Sequence, residues 1–267
     1  MKSVLHLICL AALALSCVAW TGKLTQGDST NANGGLVLHM TFEDVSSTNT
    51  GTVIPDLSGY GNYGVITDRF QLPLGISNGV RGQGIHQFSG PGTPSGIIMV
   101  TNMAQNLNIN THAGITVMTW LKVDAFGPDA RLLVTSNQGV YSTSSNQYAL
   151  IIGDGSSNPT VCFDSRGLHQ CIASPYPLKV GVWYHVAGTD DGVTQTIYVN
   201  AVSYPTTGDP SGAVTYQNGP DLWLMLRFDG SKPFLGVIDE LWIYNRALSA
   251  KEISAIYYSS KPVYGYQ

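Results

Sequence analysis

Short runs in which apolar and polar residues alternate recur along the chain, the period of strands with one buried face. Leu36, Leu38, Met40 and Phe42 alternate with Val37, His39 and Thr41. Further strands are predicted over Ile97–Val100, Ile115–Val123, Leu132–Val134, Tyr148–Ile152, Thr160–Phe163 and Asp221–Phe228, separated by turns of Gly, Ser and Asn. Trp183–Thr189 and Thr194–Asn200 read as a hairpin, with Asp191-Gly192 suited to a primed turn. The run from Phe234 to Tyr244 differs because it is apolar on both parities. Leu235, Val237, Leu241 and Ile243 fall on one, and Phe234, Ile238, Trp242 and Tyr244 on the other. Such a strand is predicted to be central and covered on both faces. Strict alternation places Asp239 between Val237 and Leu241, where a bare carboxylate is costly unless compensated. After Asn245 the period changes: Ser249 is suited to cap a helix, Glu252 completes a capping box, and Ile253 and Ile256 begin an apolar face. The pattern predicts one antiparallel all-β sandwich closed by one short C-terminal helix.

Four segments, in order, carry a resemblance. LVLHMTFED ends an apolar strand in Phe and acidic residues. PDLSGYGNYGVI is similar to a D-S-S-G-N-G-N-x-G loop, with Asp56, Ser58, Gly59, Gly61, Asn62 and Gly64 in register. WYHVAGT fits W-x-H-V-A, and GVIDELWIYNRALSAKEI fits G-x-I-D-E-x-x-I-Y-N-R-A-L-S-x-x-E-I. Together they resemble the LamG-like jelly-roll domains of the concanavalin A-like lectin/glucanase superfamily, over about Gly34 to Tyr258. The resemblance implies a jelly-roll sandwich and a binding or structural role. It also implies a core position for Trp120 and a structural calcium between the first and last strands. Asp239 would give its side chain and Glu43 an oxygen, with Asp56 or Asn62 adding another. Without the family, Asp239 could instead accept backbone amides or pair with an arginine such as Arg246, and Asp56 could simply shape an Asx-turn. His185 reads as a packed, hydrogen-bonded histidine.

Composition narrows the setting. Charged residues make up 11 % of the 267, and a net charge of −4 leaves no basic footprint for nucleic acid. Residues 1–19 have the form of a secretory signal, with Lys2, an apolar run from Leu10 to Leu15 and small residues beyond, and the run is too short to span a bilayer. Lipoprotein anchoring at Cys17 is the lesser alternative, because Ala14-Leu15-Ser16-Cys17 fits that signal poorly. Residues 20–35 read as a flexible leader, 36–258 as the jelly-roll domain and 259–267 as a tail. Cys162 and Cys171 are symmetric about Arg166-Gly167, so a tight hairpin there would bring them within disulfide reach in an exported protein.

Beyond residue 19 the glutamates are Glu43, Glu240 and Glu252. A retaining glycosidase needs two carboxyl groups about 5–5.5 Å apart. Alternation would send Asp239 and Glu240 to opposite faces, and the Glu-x-Asp-x-x-Glu strand of the superfamily's hydrolases is absent. Ligand contacts are sought among Tyr141, Tyr148, Tyr176, Tyr216, Trp223 and Arg227, with Trp223, Arg227, Tyr148 and Tyr176 put forward and Trp223 and Arg227 read as sharing one strand face. The resulting expectation is a secreted, non-catalytic module that binds a glycan or an extracellular protein. The alternatives are a self-associating adhesive subunit and a degenerate hydrolase.

Overall fold

The structure is a computed structural model; it describes residues 34–67, 74–88, 97–100, 107, 114–137, 148–153, 159–165, 168–171, 177–205, 220–227 and 230–262. Strands β1 (Leu36–Met40), β2 (Val53–Ile54), β3 (Gly64–Thr67), β4 (Leu74–Asn78), β5 (Gln83–Gln87), β6 (Ile97–Val100), β7 (Ile115–Ala125) and β8 (Ala130–Asn137) come first. They are followed by β9 (Tyr148–Ile152), β10 (Val161–Ser165), β11 (Leu168–Cys171), β12 (Trp183–Asp190), β13 (Gln195–Val199), β14 (Val202–Pro205), β15 (Pro220–Leu224), β16 (Leu235–Tyr244) and the helix α1 (Ala250–Ser260). The strands form two antiparallel sheets. One has the order β14-β13-β12-β7-β16-β5-β4 with β1 also on β16, and the other the order β11-β10-β9-β8-β15-β6-β3-β2. Among the described residues α1 is the one helix, and none is long and apolar enough to cross a membrane.

The sheets face each other across a core that includes Leu38, Val117, Leu121, Tyr148, Leu150, Phe163, Leu222, Ile238 and Ile243. A second cluster lies on the outer face of the first sheet, where Met118, Trp120, Trp242 and Tyr244 pack with Ile253 and Tyr257 of α1. The strand β16 is therefore covered on both faces, as its double apolar parity predicts. Trp120 is buried in this second cluster, and its indole Nε1 donates to Ser260 Oγ at 2.9 Å. The helix begins as its sequence demands: Ser249 and Glu252 form a complete capping box, and Arg246 holds the Glu252 carboxylate at 2.7 Å.

Two local expectations are corrected. The hairpin between β12 and β13 closes at Asp190↔Gln195 with a four-residue loop in which Asp191 Oδ1 accepts from Val193 N and Thr194 N. The two-residue primed geometry falls one hairpin later, at Asn200 and Ala201 (φ 50° and 65°) between the paired Val199 and Val202. The second correction concerns parity in β16. Asp239 pairs with Trp120 but Trp242 pairs with Met118, so one extra residue is inserted, and Glu240 takes φ 52°. The bulge flips the alternation. Ile238, Leu241 and Ile243 face the core between the sheets, whereas Asp239 is in register with Trp120 on the helix-covered side.

Candidate functional site

Along one side β16 pairs with β7 throughout, but its other side is shared. The strand β5 takes Gly236–Ile238 and β1 takes Leu241–Tyr244. Asp239 and Glu240 sit at the seam between these partners. The end of β1, carrying Glu43, and the β4–β5 turn both reach this seam. The turn closes with Gly79 N donating to Gly82 O at 3.1 Å, and Arg81 Nη2 ties it to Ser259 O of α1 at 2.9 Å. Asp239 Oδ2 accepts from Arg81 N at 2.9 Å and Glu43 Oε2 from Gln83 N at 3.2 Å, so two carboxylates grip one turn. Glu240 Oε2 meets His39 Nε2 at 3.0 Å, and the His39 ring stacks on Trp242.

Asp239 is fully buried, and its Oδ1 has no hydrogen-bond partner. Burial pushes its pKa up to about 8, Arg81 N–H opposing and the nearby Glu240 and Glu43 charges adding to the rise. The turn packs closely against it: a methyl added to Gly79 would run into Asp239 Oδ2 and lie 2.5 Å from Arg81 O and 2.6 Å from Gln83 O. Oxygens thus converge on the space the glycine leaves. Among the described residues no three His, Cys, Asp or Glu side chains gather as a metal-binding group. The donors here are carboxylates and main-chain carbonyls, which is the oxygen set calcium takes. With an orphaned buried oxygen and a cradle of carbonyls, Asp239 and Glu43 fit that ion.

Asp56 and Asn62 do not join them. Asp56 accepts four hydrogen bonds, from His39 N, Ser58 N, Ser58 Oγ and Asn62 N at 2.7–2.9 Å, so its carboxylate is committed to the loop. Asn62 is buried with its amide donating to Val37 O at 2.7 Å. Asp56 shapes an Asx-turn, and Asn62 ties the loop to β1. Arg246 does not serve Asp239 either, being held by Glu252 and Gly34 O. The bulge also brings Glu240 toward His39 and Trp242 on the helix-covered face, so the expectation that Asp239 and Glu240 point to opposite faces is corrected.

The residues put forward for ligand contact scatter. Tyr148 belongs to the core between the sheets, fully buried with its hydroxyl donating to Leu107 O at 3.1 Å. Trp223 is 2 % exposed on the other face of β15, packed with Val134, Ala149, Ile151, Cys162 and Leu226. Arg227 does not share its strand face: β15 ends at Leu224, Met225 turns left-handed (φ 67°), and Arg227 N bonds Ser231 O in the next turn. Tyr176, Tyr141 and Tyr216 lie outside the described residues. Register does build a row across the outer face of the second sheet, Asp164↔Ala149↔Val134↔Trp223. Arg131, one row along, pairs with Asp164 at 3.4 Å; burial lowers its pKa, and its Nε has no hydrogen-bond partner. Its place was not legible beforehand, because a β-bulge between Arg131 and Leu133 sets its facing.

His185 is packed against Trp120, Trp242 and Tyr257, but neither ring nitrogen has a partner, contrary to the hydrogen bond expected. Burial lowers its pKa to about 3, so it is neutral. The β10–β11 hairpin sets Cys162 opposite Cys171 in register, the backbone arrangement a bridge between them requires.

A family model described as the concanavalin A-like lectin/glucanases superfamily matches residues 98–254. No curated protein matches the chain significantly. Domain 4 of AbnA, a GH43 extracellular arabinanase from Geobacillus stearothermophilus, in complex with arabinotriose, superposes with a TM-score of 0.60 at 16 % identity, over 83 % of this chain and 97 % of that one. The binding domain of Paraclostridial Mosquitocidal Protein 1 gives 0.62 at 18 %, covering 86 % and 53 %. The binding domain of Botulinum Neurotoxin DC in complex with SialylT gives 0.60 at 15 %, covering 86 % and 52 %. The chain spans about half the length of these two toxin domains. At such identities the likeness is one of fold.

Proposed function

The chain belongs to the concanavalin A-like lectin/glucanase superfamily, and from that premise we propose that it is a secreted, non-catalytic module that binds carbohydrate and is held together by calcium. The observation that carries the reading is the seam at Asp239. There the carboxylates of the sequence motif are spent on structure: Asp239 and Glu43 on the β4–β5 turn, Glu240 on His39. Groups so engaged are neither a free nucleophile nor a free acid. They are well suited to keep a cation between the first and last strands. Asp239, Glu43 and the Arg81 and Gln83 carbonyls would hold it; calcium supplies there the positive charge that the buried carboxylates need. Two solved domains of the same fold support the binding half, one in complex with arabinotriose and one with SialylT.

The test is a glycan array probed with the protein at saturating calcium and again in chelator, with reducing-sugar release measured on every glycan retained. Binding without release is expected in both conditions, measured well below the melting temperature. Release of sugar that Glu240→Gln abolishes would make the chain a hydrolase, and binding to no glycan would overturn the carbohydrate reading.

A further inference from the structure

The loop between β2 and β3 exposes Leu57, Tyr60 and Tyr63, and β2 exposes Val53 beside it, each between 40 % and 54 % exposed. It is not a loose loop. Asp56 gathers three hydrogen bonds inside it, from Ser58 N, Ser58 Oγ and Asn62 N, and three bonds clamp it to β1: His39 N to Asp56 Oδ1, Leu57 N to His39 O and Asn62 Nδ2 to Val37 O. Gly59 and Gly61 take φ of 91° and 75°, conformations that favour glycine, and nothing lies within 4 Å of where a Cβ on Gly59 would be. The two tyrosines therefore stand on a pre-set frame, each partly exposed. A rigid tyrosine with few torsions to freeze gives contact area at low entropic cost, and Ser, Gly and Asn around it offer adaptable hydrogen bonds.

Charge selects the occupant. From Val45 to Thr67 the only ionisable carboxylate or basic side chain is Asp56, and its oxygens are already taken. An anionic membrane or a nucleic acid would need Lys or Arg here. An uncharged, hydroxyl-rich ligand needs neither; it needs aromatic faces for its C–H surfaces and neutral polar groups for its hydroxyls. We propose that the 57–63 loop, with Val53 beside it on the outermost strand of the second sheet, is a contact surface for a neutral oligosaccharide, Tyr60 and Tyr63 supplying the stacking faces. This rests on the carbohydrate-binding reading above and names its surface and ligand class.

The experiment compares wild type with Tyr60→Ala, Tyr63→Ala and the double variant, each on the same array of neutral arabinan, galactan and glucan fragments and of sialylated and uronic-acid glycans. Thermal melts run alongside, since the side chains removed are largely exposed and the fold should persist. Neutral glycans should bind wild type, each substitution should weaken them about tenfold with an unchanged melt, and Tyr60→Phe should bind nearly as wild type. Equal affinity of wild type and the double variant overturns this surface but leaves carbohydrate binding standing. Binding confined to acidic glycans overturns the ligand class alone, and failure to bind any glycan overturns both readings.

Discussion

Two buried residues on the helix-covered face carry opposite electrostatic costs. Asp239 has one oxygen on Arg81 N and one without a partner, so as an anion it needs a cation. A ligand that binds only the folded state adds about 2.7 kcal/mol at a hundredfold excess over Kd. Chelation is therefore expected to lower the melting temperature, and both Asp239→Asn and Gly79→Ala should abolish the calcium response, the second by filling the cradle. Asp56→Asn should leave that response intact, because Asp56 belongs to the loop. Identical melts with calcium and chelator would dismiss the ion. His185 works through protonation. Its folded pKa, about 3, lies below the ordinary 6.5, so below pH 6.5 the unfolded chain binds a proton that the folded chain refuses. Its contribution is complete above pH 6.5 and lost as pH falls toward 3, at roughly 1.4 kcal/mol per unit. Raised Asp239 has the reverse sign in the metal-free protein, so the slope is best read at saturating calcium as the difference between wild type and His185→Phe. Urea melts at pH 7, 5 and 4 give that difference; a constant one would mean that His185 finds a proton partner in the fold.

At the scale of elements, strand and helix content follow from local pattern. Ser249 and Glu252 form the expected capping box, and Ser249→Ala should cost about 1 kcal/mol in a denaturant titration, with an unchanged value showing the cap to be idle. The register of β10 and β11 predicts a Cys162–Cys171 disulfide in secreted material. Peptide mapping without reductant checks it, and its short loop should make the stabilisation less than about 3 kcal/mol. What local pattern cannot supply is a bulge. The alternation Val237, Asp239, Leu241 looks unbroken, yet Glu240 in the left-handed region moves Leu241 to the core between the sheets while Asp239 stays in register with Trp120. The resemblance set Asp239 beside Glu43, and both carboxylates bond the β4–β5 turn, but alternation misjudged the face on which Asp239 lies. Sequence also missed Arg81 and Gln83, whose backbone carbonyls border Gly79, a placement that no side-chain pattern encodes. Tyr148 and Trp223 are buried for a related reason: aromatic type alone does not separate a core ring such as Tyr148 from an exposed one such as Tyr60.

For the molecule as a whole, the seam joins what the chain order separates. β1 and β16 pair across the full length of the domain, the β4–β5 turn fits between them, and α1 closes over the same face. A cation held there would brace the first sheet from behind. Recognition would then be left to the edge of the second sheet, which ends in β2 with the 57–63 loop beside it. Stability and recognition are separable on this account: Asp239→Asn should lower the melting temperature while ligand affinity, measured well below it, stays close to wild type. The most direct measurement is a calorimetric titration of the calcium-loaded protein with the neutral oligosaccharide that binds best on the array, followed by chromatography of the recovered sugar. Saturable binding with the oligosaccharide recovered intact is the predicted result, whereas cleavage products, or no heat of binding for any glycan, would contradict the reading of this chain as a carbohydrate-binding module.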